Sequence, residues 1–277
     1  MSIGNTTIAL LNRMHMVPKA MFSGMNLAVL KAEIDSQLKL ISCHSQSTLE
    51  TYMLIYQETI ALLKGDGVTN SQKIETELLG AKDGSISSDY SESLFLQRLV
   101  SSYWCGRFER ARYFAERWLP ANDEYLKLKE KFRSIMILFY YGLTASRLFR
   151  TKKIQILKTI VAKSIYAMET AAQFSKWNFQ NKVLLLQAER FSMENQEAQS
   201  EKTYDDAIAA ARDSKFIHEQ GLACELAGLH YKYIGNKNRA LELFEQAKQC
   251  YFEWGSQMKV DYIGHQINIL VGENEVD

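Results

Sequence analysis

The sequence predicts an all-α protein, an α-solenoid of antiparallel helix pairs, and three observations carry that expectation. The first is a register of 40 residues near the C-terminal end, in which Phe191 recurs as Tyr231, Tyr204 as Phe244 and Ala207 as Ala247. Ala188 and Gly228, and Ser200 and Ala240, keep the same step with small side chains. A fixed period of this length marks stacked supersecondary units. The second is the scarcity of proline, only Pro18 and Pro120 in 277 residues, which suits long uninterrupted helices because proline breaks a helix interior. The third is an apolar content of 47%, enough for a continuous spine shared between neighbouring pairs.

Along the chain, residues 24–43 read as a helix with Leu27, Leu30, Ile34, Leu38 and Ile41 on one stripe. Ser47-Thr48-Leu49-Glu50 has the form of a capping box and opens a helix that passes Tyr52, Ile55, Tyr56 and Leu63 and stops at Lys64-Gly65-Asp66-Gly67. Residues 1–64 thus form an N-terminal helical region. Residues 65–91 read as a loop or insertion, rich in glycine, serine and aspartate. Residues 92–272 read as the repeat array. Ser91 to Trp104 forms its first helix, and Gly106-Arg107-Phe108-Glu109-Arg110-Ala111 turns into the second.

The same G-x-x-x-R-A pattern returns at Gly235-Asn236-Lys237-Asn238-Arg239-Ala240, with the glycine ending one helix and the alanine packing closely at the start of the next. Pro120-Ala121-Asn122 marks a break, with Asn122 as N-cap. Helices over about 122–149 and 152–174 follow, then the clear repeats at 178–254 and a capping helix over 257–270. The small residues allow close approach, while Tyr204 and Phe244 fill the space between pairs.

Composition narrows the function. A net charge of +1 implies no polyanionic partner, so no nucleic acid is expected. Cys43, Cys105, Cys224 and Cys250 are scattered without a C-x-x-C pair, which suits reduced thiols and a cytoplasmic location. The longest apolar stretch near the start, Ile8 to Leu11, is too short for a signal peptide, and no run reaches the length of a membrane span. Asn5-Thr6-Thr7 is a sequon without a secretory context.

The segments Asn178 to Glu189, Tyr204 to Arg212, His218 to Gly228, and Cys250 to Gly255 with Lys259-Val260 carry a family resemblance. Gly228/Tyr231 and Ala240/Phe244/Ala247 resemble the tetratricopeptide pattern of small and aromatic residues, and Ala188/Phe191 and Ser200/Tyr204/Ala207 nearly match it. The 40-residue period departs from the usual 34. In order, the segments resemble the tetratricopeptide-like helical region of large hybrid signalling proteins, where it lies between an ATPase module and GAF plus histidine-kinase modules. The resemblance implies a right-handed superhelix and a regulatory or assembly role towards a signalling ATPase or kinase. It supplies no catalysis, because the P-loop, the phospho-acceptor histidine motif and the receiver aspartate pocket are missing from this sequence.

Candidate sites follow from these readings. His218-Glu219 begins like a zinc-protease motif, but Leu222 stands where the second histidine belongs. Asp205 and Asp206 read as solvated helix charges, and His230 as a polar residue on a repeat surface. Lys127, Lys129, Lys131 and Arg133 do not form one stripe, and Arg147, Arg150, Lys152 and Lys153 form a second basic stretch. Tyr103, Trp104, Phe108, Tyr113, Phe114 and Trp118 read as core. Glu273 to Asp277 resembles an acidic C-terminal tag. No catalytic residue, cofactor or metal ligand is expected.

The expected partner is a protein or peptide, held in a groove along the first helices of the pairs. Lys182, Leu185 and Glu189 line it in one unit, and Glu225, Leu229 and Lys232 in the next. The alternative is a membrane-traffic adaptor of the soluble NSF-attachment type, which needs an exposed apolar N-terminal loop.

Overall fold

A computed structural model describes residue 12 and residues 16–42, 47–66, 88–119 and 132–272. These residues form a short helical segment over 16–22 and then α1 (Leu27–Ser42), α2 (Ser47–Lys64), α3 (Ser88–Trp104), α4 (Phe108–Trp118), α5 (Phe132–Lys152), α6 (Gln155–Phe174), α7 (Lys176–Met193), α8 (Glu197–Asp213), α9 (Ile217–Tyr233), α10 (Lys237–Trp254) and α11 (Gln257–Gly272). Strands are absent among the described residues. Each helix packs on its neighbour in sequence order, and α3, α5, α7 and α9 also touch in succession. The arrangement is compatible with a helical solenoid.

The 40-residue register is visible in the backbone. Asn195 and Gly235 end α7 and α9 with φ of 57° and 83°, and Lys215 and Gly255 follow α8 and α10 with φ of 60° and 87°. Both turns of the repeat therefore reverse through the same left-handed residue. Gly106 does likewise between α3 and α4, at φ 70°, where a side chain would be strained. Beyond Gly235, the Asn236 side chain accepts a hydrogen bond from the Arg239 amide at 3.2 Å and caps α10.

Packing follows the small–large alternation. Tyr204, Ala207, Phe244 and Ala247 are fully buried. A Cβ on Gly228 would lie 2.7 Å from the Phe244 ring, so the α9–α10 approach depends on its absence. Helix α5 is apolar nearly all round, with Ser134 to Ser146 buried without interruption, because α3, α4, α6 and α7 surround it.

Several boundaries differ from expectation. The first helix starts at Leu27, and α3 begins at Ser88, inside the stretch read as a loop. The helix expected over 122–149 extends to Lys152 at its C-terminal end. Helix α2 does open at Ser47, although the Ser47 side chain lies outside the described residues. So do Cys43, the Asn5 sequon, most of 65–91, Pro120 to Lys131 and the acidic tail at 273–277.

The largest addition is a closure that the repeat does not announce. A single apolar core runs from Val17 to Leu270. The Ser256 hydroxyl donates to the Leu63 carbonyl at 2.7 Å, and the Asn26 side-chain amide donates to the Glu253 carbonyl at 2.8 Å. Helix α11 touches α2 as well as α10. The N-terminal helices thus pack against the far end of the array.

Candidate functional site

The face of the first helices is where the groove was expected, and it is occupied by the protein itself. Trp104, at the end of α3, packs edge-on against Tyr251 and at a tilt against Trp254 of α10, at ring-centroid distances of 5.9 and 5.4 Å. Its indole N–H donates to the Tyr140 hydroxyl of α5 at 3.2 Å. Phe22 reaches Tyr140, and the backbone of Gly24 lies against His218, where an added Cβ would be 2.8 Å from Nδ1.

Four of the six residues assigned to the groove are consequently buried: Lys182, Leu185, Glu189 and Glu225 are at most 6% exposed. They do not line an open groove: Lys182, Glu189 and Glu225 face charged partners inside the molecule, and Leu185 lies in the core. Leu229 and Lys232 are half-buried, and the Lys232 ammonium donates to Gln266 at 3.3 Å.

The buried charges form a ladder with a rung at each junction. Arg98 of α3 pairs with Glu58 of α2 at 3.0 Å, and Glu92 of α3 with Arg133 of α5 at 3.3 Å. Arg150 of α5 meets Glu189 of α7 at 3.2 Å, Lys182 of α7 meets Glu219 of α9 at 2.7 Å, and Glu225 of α9 meets Lys259 of α11 at 2.7 Å.

Second donors complete the rungs. Tyr204 and Ser146 donate to Glu189, Asn181 to Glu219, and Tyr251 to Glu225. Burial pushes the Glu189 carboxyl up, yet the Arg150 charge and the Tyr204 hydroxyl together hold it below the usual carboxylate range. Burial pulls the Lys182 ammonium down against the opposing charge of Glu219. Removing one member of such a pair strands a charge and costs about 3–5 kcal/mol, whereas the intact pair adds little net stability. The ladder therefore specifies which helix sits beside which.

His218 and Glu219 do open a helix, and both are buried. The His218 ring packs on Trp254 at 5.3 Å, neither ring nitrogen has a hydrogen-bond partner among the described residues, and burial lowers its pKa to about 4. His230 is 2% exposed, not on a repeat surface. It sits between the Ser192 and Ser200 hydroxyls at 2.9 and 3.0 Å, satisfied as a neutral ring with one donor and one acceptor.

Asp205 and Asp206 are exposed, as read, and Asp205 accepts from Arg239. In the second basic stretch, Arg150 pairs with Glu189, Lys152 with Glu109, and Lys153 lies over Phe149. Of the aromatic group, Tyr103, Trp104 and Phe114 are buried, whereas Tyr113 is 47% exposed.

Two openings have mainly apolar walls. One is a cavity of about 290 Å³ between the end of α3, α5, α9 and α11, with Arg147 and Lys259 in its wall. The other is an open cleft of about 590 Å³ between α5, α6 and α7, lined by Phe132, Ile135, Thr170, Ala171, Phe174 and Phe179. Phe174 at its rim is 88% exposed and Trp177 nearby 58%. Sequence reasoning missed both. The signal for the cleft was an aromatic at the end of α6, followed within three residues by a second at the start of α7. Among the described residues, no helix is long and apolar enough to cross a membrane and no cluster of three metal-ligating side chains occurs. No protein-family model matches the chain, and no curated protein matches it either.

Proposed function

We propose that the chain is a non-catalytic protein-interaction module of tetratricopeptide-like helix pairs in a right-handed superhelix, and that it regulates or assembles a signalling ATPase or kinase. The observation that carries the interaction role is the α5–α6–α7 cleft. Its walls are mainly apolar, and the lining residues Phe174 and Phe132 are 88% and 38% exposed. Exposed apolar grooves of this kind receive the apolar face of a helix or peptide from a partner. The signalling assignment rests on the residues of 178–260 that resemble the helical region of hybrid kinases. The first-helix face is not the docking surface in this reading, because Trp104 and the Phe22–Gly24 segment already cover it.

The adaptor alternative gains no support from the described N-terminal segment, where Val17, Met21 and Phe22 are in the core.

Capture of partners from source lysate by the wild-type chain and by a Phe174→Asp variant tests the proposal. Because Phe174 is almost fully exposed, the variant keeps its fold. Recovery of a kinase or ATPase, reduced at least about tenfold by the substitution, is the expected result. An identical partner set with both proteins rejects the cleft, and recovery of membrane-traffic machinery rejects the signalling role.

A further inference from the structure

In the cavity between α3, α5, α9 and α11, the Arg147 guanidinium has no carboxylate within ion-pair distance among the described residues. The cavity is built from parts far apart in sequence. Tyr103 and Trp104 come from α3, Arg147 from α5, Glu225 and Leu226 from α9, and Lys259 and Tyr262 from α11. All of these residues are fixed by neighbouring helices, so the cavity is preformed.

Its electrostatics can be worked through group by group. The Lys259 ammonium lies 2.8 Å from one Glu225 oxygen and 2.7 Å from the other. The Tyr251 hydroxyl donates to the same carboxylate at 2.6 Å. Glu225 therefore has its full complement of donors, and the Lys259–Glu225 pair is neutral as a unit wherever the shared proton sits.

Arg147 differs. Its guanidinium lies over the Phe108 ring at 5.3 Å, and among the described residues no carboxylate lies within ion-pair distance of it. The other bases at these junctions, Arg98, Arg133, Arg150, Lys182 and Lys259, each meet an acid. The cavity thus carries one net positive charge. Its remaining walls are flat and apolar: Trp104 and Tyr262 flank Lys259, with centroids 5.6 and 4.3 Å from the ammonium.

The geometry points to a binding site for a small planar organic monoanion, a carboxylate carried on a ring, whose carboxylate pairs with Arg147 and whose ring lies among Tyr103, Trp104 and Tyr262. Three features select that class. A guanidinium presents planar, forked donors that match a carboxylate. One uncompensated charge calls for one negative charge and disfavours a polyanion. Aromatic walls reward a flat apolar body, and about 290 Å³ is at the small end of ligand pockets. This ligand role goes beyond the interaction role of the cleft and does not depend on it. A molecule bound here touches α3, α5, α9 and α11 at once, so its occupancy ties the two ends of the array together.

Titration calorimetry on the full chain tests the site with three probes: indole-3-carboxylate, indole-3-carboxamide and inorganic phosphate. Indole-3-carboxylate is expected to bind at least about tenfold more tightly than either of the others, a margin typical of one charge-assisted pair. In an Arg147→Gln variant that folds with unchanged helicity, the preference over the carboxamide is expected to disappear. The carboxamide comparison on the wild-type protein keeps the test independent of how the variant folds. Absence of carboxylate binding up to about 5 mM overturns the proposal. So does equal binding of acid and amide, phosphate binding as tight as the acid, or a preference that survives in Arg147→Gln.

Discussion

His218 shows what burial does to one side chain. Its ring stacks on Trp254, faces the backbone of Gly24, and has no hydrogen-bond partner on either nitrogen among the described residues. Protonation there would place a cation in the core beside Lys182, so the folded protein keeps the ring neutral down to about pH 4, although Glu219 alone would favour the charge. The unfolded chain takes up that proton near pH 6.5. Below that pH the unfolded state binds more protons than the native one, so stability falls on acidification. The contribution is complete above pH 6.5 and is lost towards pH 4, a difference of about 3 kcal/mol. His230, lowered first by burial and then by Arg150, adds to the same trend. Urea denaturation of wild type and His218→Leu across pH 4–7 is expected to show a shallower loss of stability in the variant. Parallel curves would assign the acid sensitivity elsewhere.

At the scale of helices, the α9–α10 pair rests on one missing methyl group. The Phe244 ring fills the space that a Cβ on Gly228 would occupy, and 2.7 Å is closer than such contacts allow. A Gly228→Ala substitution therefore has two opposing effects. Helix propensity favours alanine by about 1 kcal/mol, while overpacking costs about 1–3 kcal/mol. The clash wins because the nearest atoms belong to a ring that is itself fully buried. The net expectation is a destabilised protein, partly restored in the Gly228→Ala/Phe244→Leu double variant. A double-mutant cycle from denaturation midpoints measures the coupling.

Element boundaries were legible where turn residues marked them, as at Gly106 and Gly235.

For the whole molecule, Trp104 is the hinge of the closure. It contacts Tyr103 beside it, Tyr140 of α5, Tyr251 and Trp254 of α10, and the Lys259 ammonium of α11. Few single residues touch so many layers. Trp104→Ala is expected to cost about 3–5 kcal/mol and to split unfolding into two steps, because α3 loses its main contact with α10 while the nearest-neighbour contacts of the repeats persist. Circular dichroism against denaturant, followed together with the fluorescence of the remaining tryptophans, checks this. Coincident transitions in the variant would show that Ser256, Asn26 and the shared core suffice for a single cooperative unit.

The groove residues explain the division between sequence and structure. The register correctly put Lys182, Leu185, Glu189 and Glu225 on the first helices, and the small and aromatic positions of the repeat were legible because each depends only on the adjacent pair. Whether that face was open could not be read the same way. It depends on Trp104 meeting Trp254 across 150 positions, and on Gly24 meeting His218. The charges themselves held a clue, since acids and bases alternate between consecutive first helices. On a single helix, however, a buried lysine looks the same as a solvated one. The sequence by itself determined the helices, their turns and the period, all of which follow from local backbone chemistry and neighbour packing. Only the tertiary structure decided that the N-terminal helices meet the far end of the array, that the expected groove is filled, and that Arg147 lies beside a cavity with no carboxylate within ion-pair distance among the described residues, because each of these is set by contacts between residues that no local pattern links.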